Sequence, residues 1–69
     1  MAQFSECVPG GTAIVLRSAV ARVVGKTGTI VEVSRSRRSG AADIAERVTV
    51  DIPGHGEIVV APGDLDLLP

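Results

Sequence analysis

A chain of 69 residues with a formal net charge of −1 has room for one domain and exerts no global pull on nucleic acid or an anionic membrane. One cysteine, Cys7, and one histidine, His55, leave no internal disulfide and too few ligands for a Cys/His metal cage. The apolar fraction of 45% is high for so short a chain, so a partner or a second copy is expected to cover part of it.

The opening "MAQFSECVPGG" has neither the basic start nor the apolar stretch of a secretory signal. No apolar run approaches the about 20 residues that cross a bilayer. A cytoplasmic chain without a membrane segment is therefore expected, with residues 1–9 a loosely ordered lead-in. Cys7 reads as a small apolar filler, because no local base accompanies it.

After the turn "VPGG", the stretch "TAIVLRSAVARVVG" admits two readings. Thr12 at an N-cap, Gly25 past the end and a stripe of Leu16, Val20, Val23 and Val24 would suit a helix. The β-branched Ile14, Val15, Val20, Val23 and Val24 oppose it, and a strand followed by a loop is the reading adopted. "GKTG", Gly25 to Gly28, is then a turn into a second strand, "TGTIVEVS". Strict alternation there would set Val31 and Val33 on one side and Ile30 and Glu32 on the other.

"SRSRRSG" places Arg35, Arg37 and Arg38 within four residues. A structureless loop of a dozen residues is unusual in a compact domain, so one helical turn is expected in the 40–47 insertion. "RVTVDI" alternates cleanly, with Val48, Val50 and Ile52 on one face and Thr49 and Asp51 on the other. Pro53, Gly54, His55 and Gly56 join it to "EIVVA" as a hairpin whose register is unreadable, since one residue of loop length inverts the second strand. "PGD", Pro62 to Asp64, supplies a last turn. The whole reads as an all-β domain of about five short antiparallel strands spanning 1–69.

The "GKT" is not a phosphate loop. A Walker A sequence needs a glycine where Val20 stands and a helix where "GTIVEV" continues. Instead "GGTAIVLRS…GKTGTIVEV" resembles the KOW motif, in which Gly28 is the key glycine and Ile30, Val31 and Val33 fill the following strand. "RVTVDIPGHGEIVVAPGDLDLLP" is similar to the end of small SH3-like barrels, matched by Pro62, Asp64, Leu65 and Leu68. The resemblance runs from Gly10 to Leu68 and specifies a fold better than a function. It implies an SH3-like barrel with Gly25, Gly28, Pro53, Gly54 and Gly56 as turn residues.

The resemblance implies two kinds of work. KOW-containing ribosomal and transcription-elongation proteins bind RNA. The small SH3-like subunits of electron-transfer complexes, such as the variable chain of ferredoxin–thioredoxin reductase and a peripheral subunit of photosystem I, brace a larger partner without a redox centre. Arg35, Arg37, Arg38, Lys26 and His55 are the candidate partner-binding residues, the arginines pairing with phosphate or with an acidic protein. Asp43, Glu46, Glu32 and Glu57 balance that charge, and one Phe with no Trp or Tyr offers no stacking platform for single strands. The same lack of aromatics removes a polyproline groove. His55 with Asp51 and a serine makes no hydrolytic site at a glycine-flanked turn, and "RSRRS" offers Ser36 or Ser39 to a kinase only as a common basic motif. The expectation is a non-catalytic protein-binding module without cofactor, metal or small-molecule substrate, with RNA binding as the alternative.

Overall fold

A computed structural model describes residues 2–37 and 44–68 of the chain. Five strands, β1 (Thr12–Val15), β2 (Thr27–Arg37), β3 (Ile44–Ile52), β4 (Gly56–Val60) and β5 (Leu65–Leu68), form one antiparallel sheet in the order β4-β3-β2-β1-β5. Single 3-10 turns occur at Phe4–Glu6, Ala21–Val23 and Pro62–Asp64. The all-β expectation holds.

Alternation decides which face is wet. Ala13 and Val15 of β1, Gly28 and Ile30 of β2, Val48, Val50 and Ile52 of β3, Val60 of β4 and Leu65 of β5 are all buried. They recur at every second position and, through the strand register, share one face. A single sheet that buries one face without a second layer has to fold around its own side chains, as small barrels do. Val23, Ala2 and Cys7 complete this core from outside the sheet.

Thr12 starts a strand and not a helix. Val15 is bonded at both polar groups to the far end of its loop: its N–H donates to Lys26 O at 3.0 Å, and its carbonyl accepts from Gly25 N at 2.8 Å. The stiff β-branched Ile14 and Val15 thus go into an extended ladder, while Val20, Val23 and Val24 fall in the intervening loop around the turn Ala21–Val23. Gly25 sits at φ 83°, where a side chain is strained.

Gly28 is not part of that turn; it lies inside β2 and is buried. A Cβ there would stand 2.6 Å from the carbonyl oxygen of Asp51, 2.7 Å from Val50 Cγ1 and 2.9 Å from Ile52 Cγ1. The glycine is required by the approach of β3 to β2.

The faces of "TIVEV" also differ from simple alternation. Ile30 pairs with Val50 but Glu32 pairs with Thr49, so Val31 is an extra residue in a β-bulge. The bulge shifts the phase: Ile30 and Val33 turn toward the core, whereas Val31, 42% exposed, and Glu32 turn outward. "RVTVDI" follows its alternation, with Val48, Val50 and Ile52 inside.

One expectation about the less patterned segments is corrected. Ile44 to Arg47 belong to β3, paired with Ser34 to Arg37, so the helical turn expected in 40–47 is absent there; residues 40–43 lie outside the described residues. Backbone pairing with β2 outweighs the helix propensity of the alanines. Before β1, the N-terminal segment is tied to the rest at a few points. Ala2 N donates to Leu65 O at 2.8 Å, Ala2 and Cys7 are buried, and the Glu6 carboxylate accepts from Gln3 N at 3.0 Å.

The β3–β4 hairpin resolves the unreadable register. Ile52 faces Gly56 and Val50 faces Ile58, Val48 faces Val60. Pro53 and Gly54 form the centre of a turn closed by His55 N to Ile52 O at 2.9 Å. Gly54 has φ 83°, the left-handed value that the third position of such a turn demands, and Gly56 at the start of β4 has φ 81°. Ile58 and Val60 therefore face the core, leaving Glu57 and Val59 outside.

Candidate functional site

The sheet order leaves β4 with a neighbour on one side only. Among the described residues, no backbone hydrogen bond reaches the outer side of Gly56–Val60. Such an edge offers a row of N–H and C=O groups to an incoming strand. At the opposite edge, Ala2 N already occupies the carbonyl of Leu65 at the start of β5.

Along β4 runs a cleft of ≈ 380 Å³ whose walls are Glu57–Ala61 and the Ser18–Val20 segment, with Arg47 and Asp64 at its margins. The local chemistry places both walls. Ser18 Oγ accepts from Val20 N at 3.0 Å, which turns the loop so that Val20 packs on the core. Arg17 Nε meets Asp64 Oδ1 at 3.3 Å and the Arg17 guanidinium reaches Gly63 O, pinning the loop to the turn Pro62–Asp64. Val59 projects from this edge 59% exposed, the most exposed large apolar side chain among the described residues.

Charge is organised along the same edge. Asp51 of β3 lies directly opposite Glu57 of β4, both exposed, a like-charge pair that costs stability. Arg47, on the same outer face of β3 two pairs beyond Thr49, donates among the described residues to the neighbouring Glu46 carbonyl, at 3.2 Å.

The residues singled out from sequence are not brought together. Arg35 and Arg37 stand at one end of β2, while Lys26 precedes its other end, nine residues or about 30 Å away along an extended strand. His55, half-buried in the β3–β4 turn, lies at the Lys26 end, because Thr29 pairs with Asp51. Arg38 lies outside the described residues. Arg35 is already engaged: its Nε is 3.3 Å from Glu46 Oε2, and its guanidinium sits 5.7 Å from the centroid of the Phe4 ring. A second cleft of ≈ 380 Å³, lined by Ala2–Ser5, Arg35 and Glu46, surrounds that contact.

The β4 edge was missed in the sequence because an edge is a property of strand order, and strand order has no local signal. The one available hint was Val59, an apolar residue that alternation with Ile58 and Val60 would send outward under the register now observed.

Cys7 is 4% exposed, and its thiol donates to Gln3 O at 3.5 Å. Burial pushes its pKa above the ordinary 9.0, with the nearby Glu6 and Glu46 carboxylates adding to the rise. The thiol is held protonated, as suits a packing residue. Among the described residues, no cluster of three or more His, Cys, Asp or Glu side chains could hold a metal ion, and no helix is long and apolar enough to cross a membrane. Comparison with known protein families, curated proteins and solved structures finds no match for the chain.

Proposed function

We propose that this chain is a non-catalytic protein-binding module, an accessory subunit or oligomeric adaptor that engages its partner through β4. The observation that carries this reading is the unpaired outer edge of Gly56–Val60 beside a cleft, with Val59 presented from it. Strand addition there supplies main-chain hydrogen bonds for affinity and alternating side-chain positions for selectivity. The order of elements supports the SH3-like resemblance: a loop between β1 and β2, a long β2–β3 hairpin, a tight β3–β4 turn and a 3-10 turn before β5.

RNA binding through a KOW-like surface is the second reading, favoured by the two arginines two residues apart on β2. The Arg35–Glu46 pair opposes it, since one of those two cations already has a carboxylate neighbour. The two readings separate in one experiment. Tagged chain is captured from its own cells, as wild type and as Val59→Lys, with and without nuclease. A module that works through β4 keeps its protein partners after nuclease and loses them on Val59→Lys. Partners that leave with the nucleic acid, or that ignore the substitution, refute the proposal.

A further inference from the structure

We infer that the occupant of the β4 edge is a second copy of this chain, its own β4 lying antiparallel about a two-fold axis at Val59. This rests on the reading of β4 as a protein-binding edge and adds the identity of the partner.

A strand that docks on itself must be compatible with its own reversed sequence. With the axis at Val59, Val59 meets Val59 of the other copy, Ile58 meets Val60, and Glu57 meets Ala61. Residues directly opposite in an antiparallel pair share a face, so the outward Val59, Glu57 and Ala61 meet one another, and the inward Ile58 and Val60 likewise. The axis also covers the most exposed large apolar side chain with its own equivalent.

Charge selects this register. Continuing the β3–β4 pairing one step beyond Val48–Val60 sets Arg47 beside Ala61. The outer row across the joined sheets then reads Arg47, Ala61, then Glu57 and Asp51 of the second copy. Two strand spacings separate the Arg47 backbone from that Glu57, about 10 Å, which an arginine and a glutamate side chain span together. Ala61 between them is small enough to be crossed. Each copy's Arg47 would thus reach the other's Asp51–Glu57 pair, the like-charged pair that the isolated chain leaves side by side. Moving the axis to Ile58 loses this match, because Ala61 then meets His55 and Arg47 faces no acid. A heterologous strand would have to supply a basic residue at the same offset; the second copy carries one already.

The test is light scattering and sedimentation equilibrium on the full chain from about 1 to 100 micromolar, the range in which an association of micromolar Kd titrates. Wild type is expected to sediment as two chains at the upper end, and Val59→Lys to weaken the dimer at least about tenfold by placing two ammonium groups at the axis. Arg47→Glu and Glu57→Arg each set like charges across the interface, so each alone is expected to be monomeric. An equimolar mixture of the two makes both contacts complementary and is expected to restore a heterodimer. Thermal melts of each variant keep loss of dimer distinct from loss of fold. Wild type that stays monomeric at the top concentration overturns the inference, as does a dimer indifferent to Val59→Lys or a mixture that fails to associate. If wild type is monomeric yet Val59→Lys abolishes nuclease-resistant protein capture, only the self-pairing falls; if no capture depends on Val59 either, the binding-edge reading falls with it.

Discussion

Replacing Gly28 with alanine tests the packing argument most directly, because the usual rule and this structure disagree in sign. In an ordinary strand the change is favourable by about 0.5–1 kcal/mol, since glycine loses more backbone freedom on folding. Here the added Cβ would lie 2.6 Å from the Asp51 carbonyl oxygen, about 0.8 Å inside ordinary contact, with Val50 and Ile52 closing the remaining directions. A backbone oxygen cannot rotate away, so β2 and β3 must part locally and weaken the ladder around Thr29–Asp51. Overpacking costs about 1–3 kcal/mol, and each weakened ladder bond adds about 1 kcal/mol, giving a net loss of about 3 kcal/mol. For a domain of this size the total stability is only about 3–10 kcal/mol, and 1 kcal/mol moves Tm by about 4–8 °C. Urea and thermal unfolding followed by circular dichroism should therefore show Gly28→Ala melting at least about 12 °C lower than wild type. Gly25→Ala is the internal control. Nothing stands within 4 Å of its Cβ, but φ is 83°, so only the left-handed strain of about 1–2 kcal/mol applies. A Gly28→Ala protein as stable as wild type, or no less stable than Gly25→Ala, would refute the close-approach account.

Relieving the like-charge pair with Asp51→Asn should raise stability by about 0.5 kcal/mol at low ionic strength, an advantage that vanishes in salt; urea unfolding at about 1 micromolar in low and high salt measures it, staying below the proposed association range. Cys7 should react with a thiol reagent only as fast as the chain opens, because 4% of it meets solvent; a reaction first-order in reagent without a plateau at the opening rate would contradict this. Since burial raises the Cys7 pKa in the fold, the folded state holds its proton to higher pH than the unfolded state. Its contribution to stability is full below pH 9.0 and is lost as pH rises from there through the folded value, and Cys7→Ala should flatten that alkaline decline. Arg35→Ala removes both the Glu46 contact and the ring contact to Phe4, so amide exchange at Phe4–Cys7 should quicken while β3–β4 amides stay protected.

The legible parts of the fold were those set by nearest neighbours along the chain. Val, Ile and Thr runs between Gly and Pro turns located the first four strands, and Pro53-Gly54 announced its turn because proline fixes one torsion and glycine supplies the other. The misread parts depend on a partner strand. Gly28 reads as a turn residue in the sequence since glycine signals turns; that β3 presses on it is visible only once Asp51 is placed. Val31 broke the alternation because a bulge is a mismatch between two strands and has no signature in one. Ile44 to Arg47 became strand because β2 continued far enough to pair with them. The arginine cluster was conspicuous in sequence, yet the register ties Arg35 to Glu46 and leaves Lys26 and His55 at the other end of the sheet.

The apolar surplus has a different meaning in three dimensions from the one composition suggests. A fraction of 45% raised the expectation that a partner covers part of it; among the described residues the exposed large side chains are dispersed: Val8 precedes β1, Leu16 and Val24 flank the first loop, Val31 is the bulge, and Val59 and Leu68 lie on opposite edges of the sheet. Dispersed apolar residues are ordinary on protein surfaces and demand no cover. Buried area therefore gives no reason to prefer one face over another. What distinguishes β4 is directional: a row of backbone groups unpaired among the described residues, the outward apolar Val59, and opposite charges displaced equally to either side of that residue. Hydrophobic area alone would predict indiscriminate sticking, whereas that symmetric order of charge, apolar centre and charge predicts a single register. The complementation between Arg47→Glu and Glu57→Arg is sensitive to that difference, because non-specific adhesion would not be rebuilt by mixing two proteins that each repel themselves.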